Sequence, residues 1–592
     1  MCGFLGKISN VDFDINELNE PNQNIICRGP DNTQTLKFTQ ENPNVFCSLV
    51  FNRLSILDLS ENANQPMSSL QSESILMFNG EIYNNKELRK DLESRGIKFK
   101  TSHSDTEVVL HGLDFYGLNF INQLRGQFSI YYFDNKSKKH YLIRDRVGQK
   151  PLYYGITNSF LVFGSNLKSV KHLISSSSID YKQLNNYIKY GIVGSQNTIY
   201  KNIYKVLPAE IIEINFSNKV ETNSKKYWDI SNKVDDEKFD LDEFFSIFSE
   251  SVELRLTADV PIANFLSGGL DSTSIVKNMY EQNKSINSFT VGTDSEKYDE
   301  SKWANIVSEK YNTNHQSVIV PTNLNFDYVN SIINLMDEPY ADPSIIPSFI
   351  ISNEISKHYK VAISGDGGDE LLGGYERTKL SLSKSSKFEN YLSKLYKFYP
   401  SYFGTGSKFL SKSSELQVKY SSFLEDNNFL KLLKINPQNT DSYININNEL
   451  DDYKSLILAD YQFFLPDMML YKVDRMSMAN SLEVRSPFVD HKLIEYILSH
   501  NSTYRKDNEN KLLLKNYLLR DFNKDFVYRK KQGFVFDLES WIYKNLDYFY
   551  DYLFSSTKLK EFDLSSLNLL KINKSRINSQ RIWKLYVLEK FI

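Results

Sequence analysis

The sequence is poor in cysteine, with only Cys2, Cys27 and Cys47 in 592 residues. They are odd in number and show no C-x-x-C spacing, which suits free thiols in a reducing compartment rather than a disulfide framework. A basic excess is also absent: 70 Lys and Arg stand against 73 Asp and Glu, so no charge imbalance argues for a nucleic-acid partner. No apolar run reaches the ~18 residues that suggest a membrane span. The N-terminus lacks the charged, then apolar, then small-residue order of a secretory signal. Together these absences predict a cytoplasmic protein with neither a membrane nor a nucleic acid among its partners. A Walker lysine is missing as well, since nothing matches G-x-x-x-x-G-K-[ST], and there are no internal repeats. What remains is an ordinary globular balance, 41% hydrophobic and 24% charged, in a chain long enough for about two to four domains.

Up to residue 215 the chain consists of short apolar runs broken by turn residues. VFCSLVFNRLSIL, SILMFNGEIY, GQFSIYYFD, KKHYLIRDR and SFLVFGS read as strands, and NKELRKDLESRG reads as a helix with i, i+4 charge pairs and a closing Gly96. This pattern predicts an α+β first domain over 1–215. SNKVDDEKFD (231–240) is charged and aperiodic and reads as a linker opening a second domain, 231–592. In DEFFSIFSESVELRL, Phe245, Phe248, Val252 and Leu256 recur at helical spacing. Strands then alternate with helices (VPIANFL, INSFTVG, HQSVIVP, YKVAISG), which predicts an α/β domain with a doubly wound parallel sheet. Residues 380–460 are Ser-, Lys- and Asn-rich with helical fragments.

Two glycine-rich turns carry the chemistry of the second domain. In SGGLDS (267–272), Gly268 and Gly269 let backbone N–H groups approach an anion at a helix start. Ser267 and Ser272 offer hydroxyl donors, and Asp271 suits a cation rather than phosphate. SGDGGDELLGGY (364–375) also follows an apolar strand and crowds Asp366, Asp369 and Glu370 among glycines. In a parallel sheet both turns lie at the carboxyl ends of their strands, where open α/β sheets bind ligands. Asp271 and Asp369 are therefore expected to share Mg2+ on a triphosphate. DEPYADPS (337–344) adds further acidic and hydroxyl groups.

MCG at the start poses a separate question, because a terminus frays and so is a poor place for a structural buried cysteine. SGGLDS resembles the pyrophosphate loop of ATP pyrophosphatases. Together with SGDGGDELLGGY and VDRMSMANSLEVRSPF (473–488), it resembles the synthetase domain of the glutamine-hydrolysing asparagine synthetases. MCG, RGPD (28–31), FNRLSILDL (51–59), FNGEIYN (78–84), SDTEVVLHG (104–112) and RDRVGQKPLYY (144–154) resemble a class II glutamine amidotransferase domain. The resemblance spans nearly the whole chain, in the family's motif order. It implies an N-terminal-nucleophile αββα sandwich followed by an ATP-pyrophosphatase-type α/β domain with helical additions.

The resemblance also implies roles. Loss of Met1 would leave Cys2 with a free α-amine, whose unperturbed pKa of about 8 suits a general base for its own thiol. Arg53 would pair with the glutamine carboxylate, Asp105 would hold the glutamine amine with help from Glu81, and Asn79 and Gly80 would donate to the oxyanion. Asp105 also reads as a helix N-cap before TEVVLHG. For ATP, the resemblance implies Ser267, Gly268, Gly269, Asp271 and Ser272 at the pyrophosphate, Leu266 and Val291 at adenine, and Ser364 and Gly365 near the activated product. Asp366 matches the acidic position of the acyl-adenylate step. Lys472 or Arg475 would stabilise charge on the phosphates, and the sequence does not choose between them. The expected reaction is release of ammonia from glutamine at Cys2, activation of aspartate as β-aspartyl-AMP by Mg-ATP, and amidation to asparagine, the ammonia passing between the domains. Rival readings are an amidotransferase of the same build acting on another carboxylate, such as a sugar uronic acid, and a silent glutamine or ATP sensor. A homodimer is expected from the resemblance alone. The sequence departs from the family in Cys27 where His is usual, in Asp366 where one branch has Glu, and in LPAE (207–210) and FVFDLESW (534–541), which lack prolines often found there.

Overall fold

Strand pairing begins at the second residue. In the computed structural model, Cys2–Ser9 pairs antiparallel with Val45–Arg53 along its whole length, with Cys2 opposite Arg53. The structure describes residues 2–41, 43–216, 219–293, 299–321, 323–447, 449–505, 509–530 and 536–592. Met1 and the first two residues of FVFDLESW lie outside that set.

The order of the first sheet is Ile203–Lys205, Tyr153–Ile156, Phe160–Gly164, Cys2–Ser9, Val45–Arg53, Asn32–Gln40. The second runs Val220–Lys226, Glu210–Phe216, Lys139–Arg144, Gly126–Asp134, Ile75–Ile82, Met67–Ser68, so its last hairpin continues past residue 215. Alternation along each strand turns one apolar face inward. Phe4, Ile8, Leu49 and Phe51 of the first sheet meet Met77, Tyr131, Leu142 and Ile212 of the second, all fully or almost fully buried. Each such side chain contributes about 1.5–3 kcal/mol of burial energy. Helices Asn85–Ser94 and Asp105–Tyr116 cover the outer face of the second sheet, and Leu167–Leu173 covers the first, completing the αββα sandwich. The expected charge pairs are present on Asn85–Ser94 and its cap, Arg89–Glu93 at 2.9 Å and Arg95–Asp91 at 3.3 Å.

Residues 231–240 are less free than a linker. Ile230–Lys233 forms a helical turn, Asp235 N–H donates to the Leu498 carbonyl at 3.2 Å, and Asp240 caps helix Leu241–Leu254 through the Asp242 and Glu243 N–H groups. The buried stripe of that helix runs through Phe244, Phe248 and Val252. Phe245, expected on it, is only half-buried and stacks on Tyr517 at 4.7 Å, because two adjacent aromatics cannot share one helical face.

The second domain holds a parallel five-stranded sheet, Asn314–Val320, Asn287–Thr293, Ile262–Phe265, Val361–Ile363, Glu483–Arg485. Helix Leu270–Glu281 packs on one face through Ile275 and Val276, and Ile345–Ser356 on the other through Ile351 and Ile355. Strand order reverses between Ile262–Phe265 and Val361–Ile363, and SGGLDS and SGDGGD are the turns that leave those two strands. The Ser- and Asn-rich region supplies short helices that join the C-terminal helix Arg576–Glu589 in one large core cluster.

Buried charge holds the two domains together. Arg28 of RGPD grips Asp474 of VDRMS bidentately at 2.8 and 3.0 Å, with Lys150 3.8 Å from the same carboxylate. Arg125 and Arg255 both reach Asp490 at 2.9 Å. These cations hold Asp474 and Asp490 below the ordinary carboxylate range against the upward push of burial. A depressed folded-state pKa gives stability that is present above the unfolded value of about 4 and is lost as pH falls through the folded value. Thermal stability is therefore expected to fall most steeply below about pH 4. At pH 7, Asp474→Asn is expected to cost about 3–5 kcal/mol by stranding Arg28. Melting curves across pH for both proteins check this, and a flat acid limb in the parent would contradict it.

Candidate functional site

Cys2, Arg53, Gly80, Glu81 and Asp105 line one cavity of about 30 Å3, Cys2 opening strand Cys2–Ser9, Arg53 closing Val45–Arg53 and Gly80 and Glu81 lying near the end of Ile75–Ile82. Cys2 is buried rather than frayed, because strand pairing continues to its position. Burial pushes its thiol pKa up, while a hydrogen bond from the Leu54 backbone and the Arg53 charge favour the thiolate. The Cys2 carbonyl accepts from Arg28 Nε at 3.1 Å, so the residue that clasps the second domain also fixes the thiol-bearing backbone.

Asn79 lies directly behind Cys2. Its Oδ1 accepts from the Cys2 backbone nitrogen at 2.9 Å and its Nδ2 donates to Ser129 Oγ at 3.3 Å. In this arrangement the amide orients the nitrogen expected to act as base, and donation from Nδ2 to an oxyanion requires it to leave Ser129. Gly80 packs against the neighbouring strand so closely that a Cβ there would run into the backbone of Gln127 and Phe128. Arg53 hydrogen-bonds the Ser60 carbonyl and Asn64 Oδ1, each at 2.8 Å, and among the described residues no carboxylate lies within ion-pair distance of it. A buried guanidinium surrounded only by neutral acceptors is suited to a substrate carboxylate.

Asp105 Oδ2 accepts from Ile82 N–H at 3.0 Å, and burial pushes its pKa up to about 6. It opens helix Asp105–Tyr116 as its first residue, whereas Ser104 occupies the cap position. Glu81, also raised by burial, lies 3.2 Å from Arg485 Nη2 of the second domain. If Asp105 holds a substrate ammonium, as the resemblance implies, it must be ionised, and the KM for that substrate is then expected to rise about tenfold per pH unit below about 6, with kcat changing less. Initial-rate profiles check this, and a flat KM down to pH 5 would remove Asp105 from amine binding.

In the second domain the two glycine-rich turns close on each other. Ser267 Oγ accepts from Gly269 N–H at 3.2 Å, and helix Leu270–Glu281 starts immediately after. A Cβ at Gly368 would sit 2.5 Å from Asp271 Oδ1, so only glycine permits this approach. Asp271 and Asp369 converge on one ammonium, Lys511 Nζ, which is ion-paired to Asp271 and 2.5 Å from Asp369. The pair thus defines a single cation position built from hard oxygen donors, which is the chemistry Mg2+ prefers. Among the described residues no cluster of three or more His, Cys, Asp or Glu that could hold a metal ion is found.

Leu266 directly follows strand Ile262–Phe265 and Val291 lies in the adjacent Asn287–Thr293, Leu266 N–H donating to the Phe289 carbonyl at 2.8 Å. Ser364 Oγ contacts Asp366 Oδ2 and Ser486 Oγ, each at 2.7 Å, and Gly365 packs against Asp271. Lys472 and Arg475, alternatives at the sequence level, have different surroundings. Arg475 is ion-paired with Asp337 and donates to the Ser165 carbonyl at 3.2 Å, which fixes it to the domain interface. Lys472 donates to Ser344 Oγ at 2.9 Å and lies 3.4 Å from Asp342, and its charge is felt at Asp366. DEPYADPS is accordingly an ion-pairing strap: Asp337 takes Arg475, Glu338 takes Lys205 at 2.6 Å, and Asp342 takes Lys472.

Sequence reasoning missed Lys511, Arg28, Arg485 and Arg529. Arg485 is fully buried between Glu81 and Glu483, and Arg529 donates to the Gly268 carbonyl. Cys27, singled out for its departure from the family, is exposed, and its carbonyl accepts from Ser481 Oγ at 2.6 Å. No helix among the described residues is long and apolar enough to cross a membrane.

Comparison with known proteins matches both parts of the chain. A family profile described as asparagine synthase matches residues 243–590, and one described as glutamine amidotransferase domain matches 1–228. Asparagine synthetase [glutamine-hydrolyzing] 1 of Bacillus subtilis is 30% identical over 570 residues, covering 92% of this chain and 88% of that protein. Putative asparagine synthetase [glutamine-hydrolyzing] 2 of Methanocaldococcus jannaschii is 31% identical over 63% of this chain and 76% of its own length. Amidase chyE of Penicillium rubens is 25% identical over 80% of this chain and 78% of its own.

Proposed function

This chain belongs to the asparagine synthase family, with an amino-terminal glutamine amidotransferase domain, and from that premise we propose that it converts aspartate to asparagine using glutamine nitrogen and Mg-ATP. The observation that carries the reading is the pairing of two sites across one closed interface. The first domain carries a thiol pocket with a cation for a carboxylate and an anion for an amine, and the second a switch-point site with convergent carboxylates.

After loss of Met1, the Cys2 amine, oriented by Asn79 Oδ1, takes the thiol proton. The thiolate attacks the side-chain amide carbon of glutamine, which is held by Arg53 and Asp105. The C–N bond breaks, ammonia leaves with the transferred proton, and water later hydrolyses the thioester to glutamate. Gly80 N–H is a donor to the oxyanion. In the second site Ser267, Gly268, Gly269 and Ser272 hold the pyrophosphate part of ATP, and Lys472 faces its phosphates. Asp271 and Asp369 would hold Mg2+, which would supply charge neutralisation there. The substrate carboxylate attacks the α-phosphorus, pyrophosphate leaves, and ammonia attacks the acyl carbon with loss of AMP and a proton. Asp366, half-buried and raised by desolvation above the usual carboxylate range, accepts from Ser364 Oγ and is the group we assign to this acyl-adenylate step. Arg28–Asp474 and Glu81–Arg485 keep the two sites in fixed register, which suits transfer of ammonia without loss to water.

A second reading, another carboxylate as acceptor, is favoured by the relative chyE, named an amidase rather than a synthetase. Incubation with ATP, Mg2+ and 15N-amide glutamine across candidate acids, read by mass spectrometry, tests both. Labelled asparagine formed from aspartate supports the first, and glutamate release without asparagine supports the second.

A further inference from the structure

A second cavity, sharing no lining residue with the Cys2 pocket, sits between the domains. Arg125, Arg146 and Gln149 wall it from the first domain, and Arg255, Asp490 and His491 from the second. Its volume is about 10 Å3, enough for about one water-sized species.

The three arginines are more than nine-tenths buried, and each keeps one buried N–H without a hydrogen-bond acceptor: Arg125 Nη2, Arg146 Nε and Arg255 Nε. Arg125 and Arg146 engage their remaining side-chain nitrogens, and Arg255 engages Nη1. Arg125 reaches Asp490 at 2.9 Å and Glu250 at 2.7 Å. Arg146 donates to the Leu124 and Asn122 carbonyls at 2.5 and 2.8 Å. Arg255 donates to Ser251 Oγ at 2.8 Å and Asp490 at 2.9 Å. A buried donor left unmade costs about 1–3 kcal/mol, and more when it is charged, so three around one void call for an acceptor inside it.

Charge points the same way. Three guanidinium groups face one buried carboxylate, Asp490, with Glu250 half-exposed at the rim and 3.9 Å from Lys492. Asp145, beside Arg146 in sequence, already accepts from the N–H groups of Phe128, Val147, Gln149 and Lys150. The His491 imidazole is pushed down to about 3 by burial, next to Arg146, and so adds no charge of its own. Water would satisfy the donors but leave the excess positive charge in place. A tetrahedral oxyanion such as phosphate exceeds the available volume. We infer that this cavity binds a monatomic monovalent anion of the chloride class, which ties Arg125 and Arg146 of one domain to Arg255 of the other.

The test is thermal melting of the full chain in sodium chloride, bromide or gluconate at constant ionic strength, together with anomalous diffraction from crystals grown in bromide. The expected result is a saturable rise in Tm of roughly 2 °C with either halide over gluconate, and an anomalous peak among the three guanidinium groups. Gln149→Glu places a fixed carboxylate at the cavity wall and is expected to abolish the halide response. Coincident halide and gluconate curves with no anomalous peak would mean the cavity holds water and would overturn the inference. A halide response unchanged in Gln149→Glu would place the ion elsewhere and overturn it equally.

Discussion

A Cys2→Ala protein is expected to form no amide from glutamine, with a loss of about 10^4-fold or more, while forming it from ammonium at the parental rate. The size of the effect follows from how completely the pocket is organised around one sulfur. Arg53 and Asp105 position a substrate but offer no nucleophile, and Asn79 orients only the Cys2 nitrogen. The selectivity follows from how the interface is built. Arg28 holds the Cys2 carbonyl, not its side chain, and clasps Asp474 independently of the thiol. Removing Sγ therefore leaves the domain contacts intact and the ATP site competent. Rates measured with each nitrogen source at saturating ATP check the split. A glutamine-dependent rate that persists, or an ammonium-dependent rate that falls in parallel, would contradict the assignment of Cys2.

Much of this architecture was legible because the sequence signals are local. Short apolar runs bounded by turn residues marked Ile75–Ile82 and Gly126–Asp134 as strands, and a Gly-Gly turn between strand and helix marked the start of Leu270–Glu281. The convergence of SGGLDS and SGDGGD was also readable, since right-handed crossovers bring both turns to one sheet edge. Legibility fails where a residue acquires its role only through tertiary contact. Lys511 lies in NENKLLLKN, where it resembles any solvated lysine ahead of an apolar helix. Its two carboxylate partners come from elements far away in sequence. Arg28 and Asp474 are each ordinary in their motifs, and their pairing across 446 positions leaves no local trace. The choice between Phe244 and Phe245 fails for a different reason. Adjacent aromatics give the same helical period, and only the neighbouring helix His491–Ser499 and strap Pro487–Val489 decide which one is enclosed.

Asp369→Asn is expected to remove amide formation from both nitrogen sources by about 10^3-fold or more, while glutamine hydrolysis stays within about twofold of the parent. Two carboxylates that converge on one point repel each other unless a cation lies between them, and in this structure Lys511 Nζ supplies that charge. Its pKa is pushed up by the same two partners, so it stays protonated at any physiological pH. For Mg2+ to bind there, the ammonium must move aside, towards the triphosphate that arrives with the metal. One carboxylate alone cannot both release Lys511 and hold a divalent ion, which is why the loss should be large even though Asn preserves shape. Lys511→Met separates the two functions, since it keeps both carboxylates and removes the competing charge. Mn2+ bound without nucleotide, counted by electron paramagnetic resonance, is expected to rise at least about tenfold in affinity in Lys511→Met and to vanish in Asp369→Asn. Equal Mn2+ binding in parent and Lys511→Met would show that the ammonium and the metal do not share a position.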